Sequence, residues 1–91
     1  MKNYYESLHA LKVEHKRANV EICNERDRRL KEVKKLIIAI KVYDLSGQSE
    51  QTLRELLVMI RKEAERRLRK QHRTYVWRQR ELLRQMTELS Q

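Results

Sequence analysis

A single glycine near the midpoint of a chain that contains no proline is the strongest constraint on how this sequence can fold. Glycine and proline are the residues that most sharply punctuate regular structure, so Gly47 divides the 91 residues into two long uninterrupted segments. Leu, Glu, Arg, Lys, Gln and Ala dominate both, which favours helix over strand. The expectation is an all-α fold of two long antiparallel helices in a coiled-coil-like hairpin, a single domain over 1–91. Helix 1 should span about 3–44, the turn 45–48 and helix 2 about 49–90. Asn3 is placed to cap the first helix, with Glu6 at the position from which a capping-box carboxylate reaches back. Gly47 suits a left-handed turn, and Ser49 is the expected cap of helix 2.

Two apolar stripes support the hairpin independently. Helix 1 offers Tyr4, Leu8, Leu11, His15, Asn19, Ile22, Arg26, Leu30, Val33, Ile37 and Ile40, and helix 2 offers Leu53, Leu57, Ile60, Ala64, Leu68, Gln71, Tyr75, Gln79, Leu82, Met86 and Leu89. Folding about Gly47 pairs them in order, from Ile40 with Leu53 to Tyr4 with Leu89, so that paired numbers total about 93 or 94. Leu11, Ile22 and Val33 recur every eleven residues, as do Leu53, Ala64, Tyr75 and Met86. That period, about 3.67 residues per turn, calls for nearly straight or slightly right-handed coiling.

Near the turn the pattern is apolar on nearly every side. One seam cannot cover Leu36, Ile38, Ala39, Val42 and Tyr43 of helix 1 together with Leu56, Val58 and Met59 of helix 2. Contiguous exposed apolar surface usually marks a contact site, and pairing of the turn-proximal halves into a four-helix bundle, as a homodimer, is the simplest way to cover it. The layout resembles Rop-like hairpins, which dimerise into four-helix bundles, and engineered hairpin bundles; the likeness is one of topology and carries over no residue. An engineered helical scaffold fits the missing proline and lone turn glycine, whereas Cys23, His15 and the irregular surface charge fit it less well.

The middle of the seam is polar, through His15, Asn19, Gln71, Tyr75 and Gln79. Such a layer is expected to fix register and partner choice at some cost in stability. Catalytic or metal chemistry finds no support. Glu6 and His9 have di-iron spacing but lie away from the stripe, at about 100° per residue, and Glu65 and His72 are two turns apart. There is no glycine-rich phosphate loop and no zinc-type cysteine spacing. The expectation is a protein that is not an enzyme, with no cofactor, no metal and no small-molecule substrate.

Charge offers an alternative reading. The formal net charge is +9, and Arg66, Arg69, Arg73, Arg80 and Arg84 fall on the face of helix 2 opposite the stripe, where Trp77 is also expected. A basic face with an exposed indole suits RNA, DNA or an acidic protein partner. A solvated face that keeps a rod soluble is the plainer account. No apolar run is long enough for a membrane span, no secretion-signal pattern opens the chain, and Cys23 has no internal disulfide partner. These point to a cytoplasmic or intracellular protein with no membrane contact.

Overall fold

The computed structural model describes residues 3–43 and 47–89. Two helices run along them, α1 (Tyr4–Tyr43) and α2 (Gln48–Leu89), and together they make an all-helical hairpin. At 72 × 16 × 8 Å the molecule is a flat rod one helix thick.

Asn3 caps α1 as the sequence suggests. Its Oδ1 accepts from the backbone N–H of Tyr5 at 3.1 Å and of Glu6 at 3.3 Å, and its carbonyl accepts from Ser7 N–H. Among the described residues Glu6 does not return the capping-box bond. The start of α2 differs from expectation. Gly47, at φ 73°, accepts from Gln51 N–H through its carbonyl and so occupies the cap position itself. Gln48 is already helical and Ser49 sits within the first turn. A glycine can hold that left-handed conformation where a serine pays a steric cost, which decides the boundary. The rest of the expected turn, and the end of helix 1 at Asp44, lie outside the described residues.

Burial follows the two stripes. Leu11, Ile22, Leu30, Val33 and Ile37 of α1 and Leu57, Ile60 and Ala64 of α2 form the core. All of them are stripe positions, and Leu11, Ile22 and Val33 confirm the eleven-residue repeat. The core is lopsided. Its contiguous part is Leu30, Val33, Ile37, Leu57 and Ile60, with Leu53 and Leu56 packed on it, all in the turn-proximal half. Beyond Ala64, the described side chains of α2 are at best half-buried, including Leu68, Gln71, Tyr75, Leu82 and Met86. Threonines on the outside of α2 turn back on the helix, with Thr52 Oγ1 donating to Gln48 O and Thr74 Oγ1 to Lys70 O.

Cross-helix ion pairs define one flank of the hairpin. Arg78 Nη1 reaches Glu14 Oε1 at 3.0 Å, Arg67 Nη1 reaches Glu25 Oε2 at 2.9 Å and Arg29 Nη1 reaches Glu63 Oε2 at 3.1 Å. Near the turn, Lys41 Nζ lies 3.5 Å from Glu50 Oε1. Among the described residues no helix is long and apolar enough to cross a membrane.

Candidate functional site

The turn-proximal apolar side chains are where a partner surface should be sought. Leu56 is half-buried against the core, while Leu36, Ile38, Ala39, Val42, Tyr43, Val58 and Met59 all face solvent. Tyr43 is 86% exposed, Val42 69%, Ile38 66% and Met59 64%. They do not share one face. Counting about 100° per residue places Leu36, Ala39 and Tyr43 on the ion-paired flank, Ile38 and Val42 on the back of α1, and Val58 on the opposite flank. A groove of about 230 Å³ on the ion-paired flank is lined by Arg29, Leu56, Met59, Ile60, Lys62, Glu63 and Arg66.

The same flank continues toward the open end. In the middle, Glu25, Arg29, Glu63 and Arg67 close the interhelical groove over Ile22 and Ala64 to about 10 Å³. Past Glu14 it reopens to about 500 Å³, floored by Ala10, Leu11 and Leu82 and walled by Trp77. Trp77 therefore stands at the edge of a groove between the helices. It is 64% exposed and borders this groove from the outer side of α2, as Arg66, eleven residues earlier, borders the groove nearer the turn. Small residues opposite it, Ser7 and Ala10, leave the space that the indole borders.

The polar layer forms around His15, whose ring stacks on Tyr75 with centroids 4.2 Å apart and planes 11° apart. The sequence register set His15 against Gln79, so its observed neighbour is one helical turn closer to Gly47. Asn19 Nδ2 lies 3.3 Å from His15 Nε2, and Gln71 Nε2 lies 3.5 Å from His15 Nδ1. A neutral imidazole accepts at only one ring nitrogen, so both amides cannot donate to it at once. Asn19 Oδ1 is buried with no partner among the described residues. Turning that amide over places the oxygen on an Nε2–H donor and leaves Gln71 donating to Nδ1, which gives both ring nitrogens a compatible partner. Gln79 is half-buried farther along the seam. His72, which sequence counting left off the seam, brings its ring centroid within 6.1 Å of His15. A side chain long enough to lean across the seam edge is invisible to angular counting. Even so, no group of three or more candidate metal ligands exists among the described residues. Cys23 is half-buried with a free thiol.

The cations divide into paired and unpaired sets. Besides the cross-helix bridges, Arg84 is held between Glu81 at 2.8 Å and Glu88 at 3.2 Å, and Arg54 pairs with Glu50 at 2.8 Å. Arg66, Arg69, Arg73 and Arg80 have no carboxylate partner among the described residues, and each is exposed. Arg69 and Arg73 border a groove of about 370 Å³ with Leu68 and His72, on the side away from Trp77. Titration reflects the pairing. The Arg67 hydrogen bond and charge hold the Glu25 carboxyl below its ordinary 4.5, and the Arg54 hydrogen bond, with Lys41 adding to it, does the same for Glu50.

No family model, curated protein or solved structure matches the chain.

Proposed function

We propose that this hairpin is a non-enzymatic interaction module that self-associates through its turn-proximal half, forming a four-helix bundle from two chains. The observation that carries this reading is the exposure of Leu36, Ile38, Val42, Tyr43, Val58 and Met59 around the best-packed part of the molecule. Six large apolar side chains exposed within two short stretches exceed the scattered singles of an ordinary monomer surface. The polar layer around His15 then serves specificity, holding one register where an all-apolar seam would tolerate several. Sedimentation equilibrium tests the proposal. The expected mass is twice the 11.2 kDa of one chain, and a monomer that persists to high concentration overturns it.

A second reading is supported by the division of the cations. Arg66, Arg69, Arg73 and Arg80 present unneutralised guanidinium groups along about 21 Å of α2, at 1.5 Å per residue, in a chain of net charge +9. Nucleic-acid phosphates are a polyanion that such a ladder would take, and an acidic protein is the other partner. Arg84 contributes little to it, being already flanked by two carboxylates. Binding should weaken steeply with salt and collapse in a chain carrying Arg69→Glu with Arg73→Glu; salt-sensitive binding that survives the pair of substitutions refutes the assignment.

A further inference from the structure

We infer that Trp77 and the groove it borders are the second half of the self-association surface, so that the whole ion-paired flank, and not the turn end alone, packs against a second copy of the chain. This rests on the self-association reading and extends it to residues far from the turn.

Three observations lead there. The first is area. On this flank the apolar stretch of α1 from Leu36 to Tyr43 is about 11 Å long, and a stable dimer needs about 800 Å² from each partner. A patch of that length on a rod 16 Å wide falls far short, whereas the 72 Å length of the same flank supplies the area. The second is continuity. Met59 and Trp77, each 64% exposed, lie about five helical turns apart and therefore on one line of α2, and both border grooves on the side of the Glu14–Arg78, Glu25–Arg67 and Arg29–Glu63 bridges. The third is charge. A second copy carries the same +9, so its approach is favoured where more of the cations are already neutralised. Along this flank Arg29, Arg67 and Arg78 are bridged to carboxylates across the seam, and Arg66 and Lys62 at the rim of the turn-end groove are its unbridged cations, whereas Arg69, Arg73 and Arg80 lie together without a carboxylate partner among the described residues. Like-charge repulsion steers a copy of this chain away from Arg69, Arg73 and Arg80 and toward the bridged flank.

In this arrangement the indole is covered by the partner, with the small residues Ser7 and Ala10 leaving room for an inserted side chain. Aromatic anchors in such positions contribute a disproportionate share of binding energy.

The test compares Trp77→Arg, Met59→Arg and Leu83→Arg with the unmodified chain by sedimentation equilibrium, with helical content checked at concentrations where each is a monomer. Leu83 is exposed on the opposite flank and is the control for a charge added to α2. The expected result is that Trp77→Arg and Met59→Arg each raise the dimer dissociation constant by about tenfold or more while Leu83→Arg leaves it within about twofold. Emission from Trp77, the chain's one tryptophan, should move to shorter wavelength as the unmodified chain assembles. If Met59→Arg breaks the dimer and Trp77→Arg does not, with no emission shift, this inference fails and the turn-end reading stands. If the unmodified chain never dimerises, the self-association reading itself has failed.

Discussion

Ile60 and Met59 are neighbours in sequence on opposite sides of the core boundary, and replacing each with alanine separates folding from assembly. Ile60 is the most buried side chain among the described residues, 3% exposed, whereas Met59 projects into solvent. Ile60→Ala removes three buried carbons at about 0.8 kcal/mol each, or about 2.4 kcal/mol. The seam is a single layer between two helices, so the void opens to water and the additional cavity penalty is small. The better helix propensity of alanine returns a few tenths of a kcal/mol. A net loss of about 2 kcal/mol lowers the melting temperature of a domain this size by about 8–16 °C. Met59→Ala should cost under about 0.5 kcal/mol in the single hairpin, as surface substitutions do. Far-ultraviolet circular dichroism melts, run at concentrations about a hundredfold apart, distinguish the two because only assembly depends on concentration. Ile60→Ala should destabilise equally at both, and Met59→Ala only at the higher. A loss below about 1 kcal/mol for Ile60→Ala would refute the placement of the core, and equal shifts for Met59→Ala at both concentrations would refute its assignment to the outer surface.

Three further outcomes follow from the same geometry. Gly47→Ala meets no atom within 4 Å, so its expected cost of about 1 kcal/mol is backbone strain alone; Gly47→Asn should recover part of it, and equal melting of all three chains would refute the strain argument. His15→Leu with Asn19→Leu replaces the polar layer by apolar packing and should raise the melting temperature while broadening the transition, since register is then less specified; a lower melting temperature would show that the layer stabilises. Acidification should loosen the hairpin. The folded-state values of Glu25 and Glu50 are lowered, so their contribution is complete above the ordinary 4.5 and is lost as pH falls through the lowered values; Glu25→Gln should reduce the acid sensitivity of the melting temperature, and an unchanged pH profile would remove that pair from the account.

Features set by local periodicity are legible in the sequence, and those set by the relative placement of the two helices are not. The hairpin and its core are legible, because burial of Leu11, Ile22, Val33 and Ile60 depends on a period that the apolar residues display directly. Asn3 is legible for the same local reason. Small angular differences carried over many turns are not legible in the same way. His15 meets Tyr75 instead of Gln79, and the groove that the exposed Trp77 borders is not visible in the pattern. Long side chains added a second source of error: His72 leans toward the seam, and Arg84 is engaged by two carboxylates of its own helix. Gly47 and Ser49 competed for one cap position, and only the backbone conformation separates them. The partner surface was legible as a composition, apolar residues crowded about the turn, but not as a shape, because which of Ile38, Val58 and Met59 share a side depends on where the second helix lies.

The bridges Glu25–Arg67 and Arg29–Glu63 work as a two-position key. Their members are one turn apart on each helix and opposite in sign. Sliding α2 past α1 by one turn in one direction sets Glu25 against Glu63, and in the other sets Arg29 against Arg67. Each misplacement exchanges two attractions for a repulsion, so the penalty for slippage exceeds the modest worth of either bridge in place. The key takes no account of which chain a helix belongs to. Two extended chains exchanging their second helices would find the same notch as one chain folded on itself, and the alignment of the rod is thereby independent of how its helices are connected.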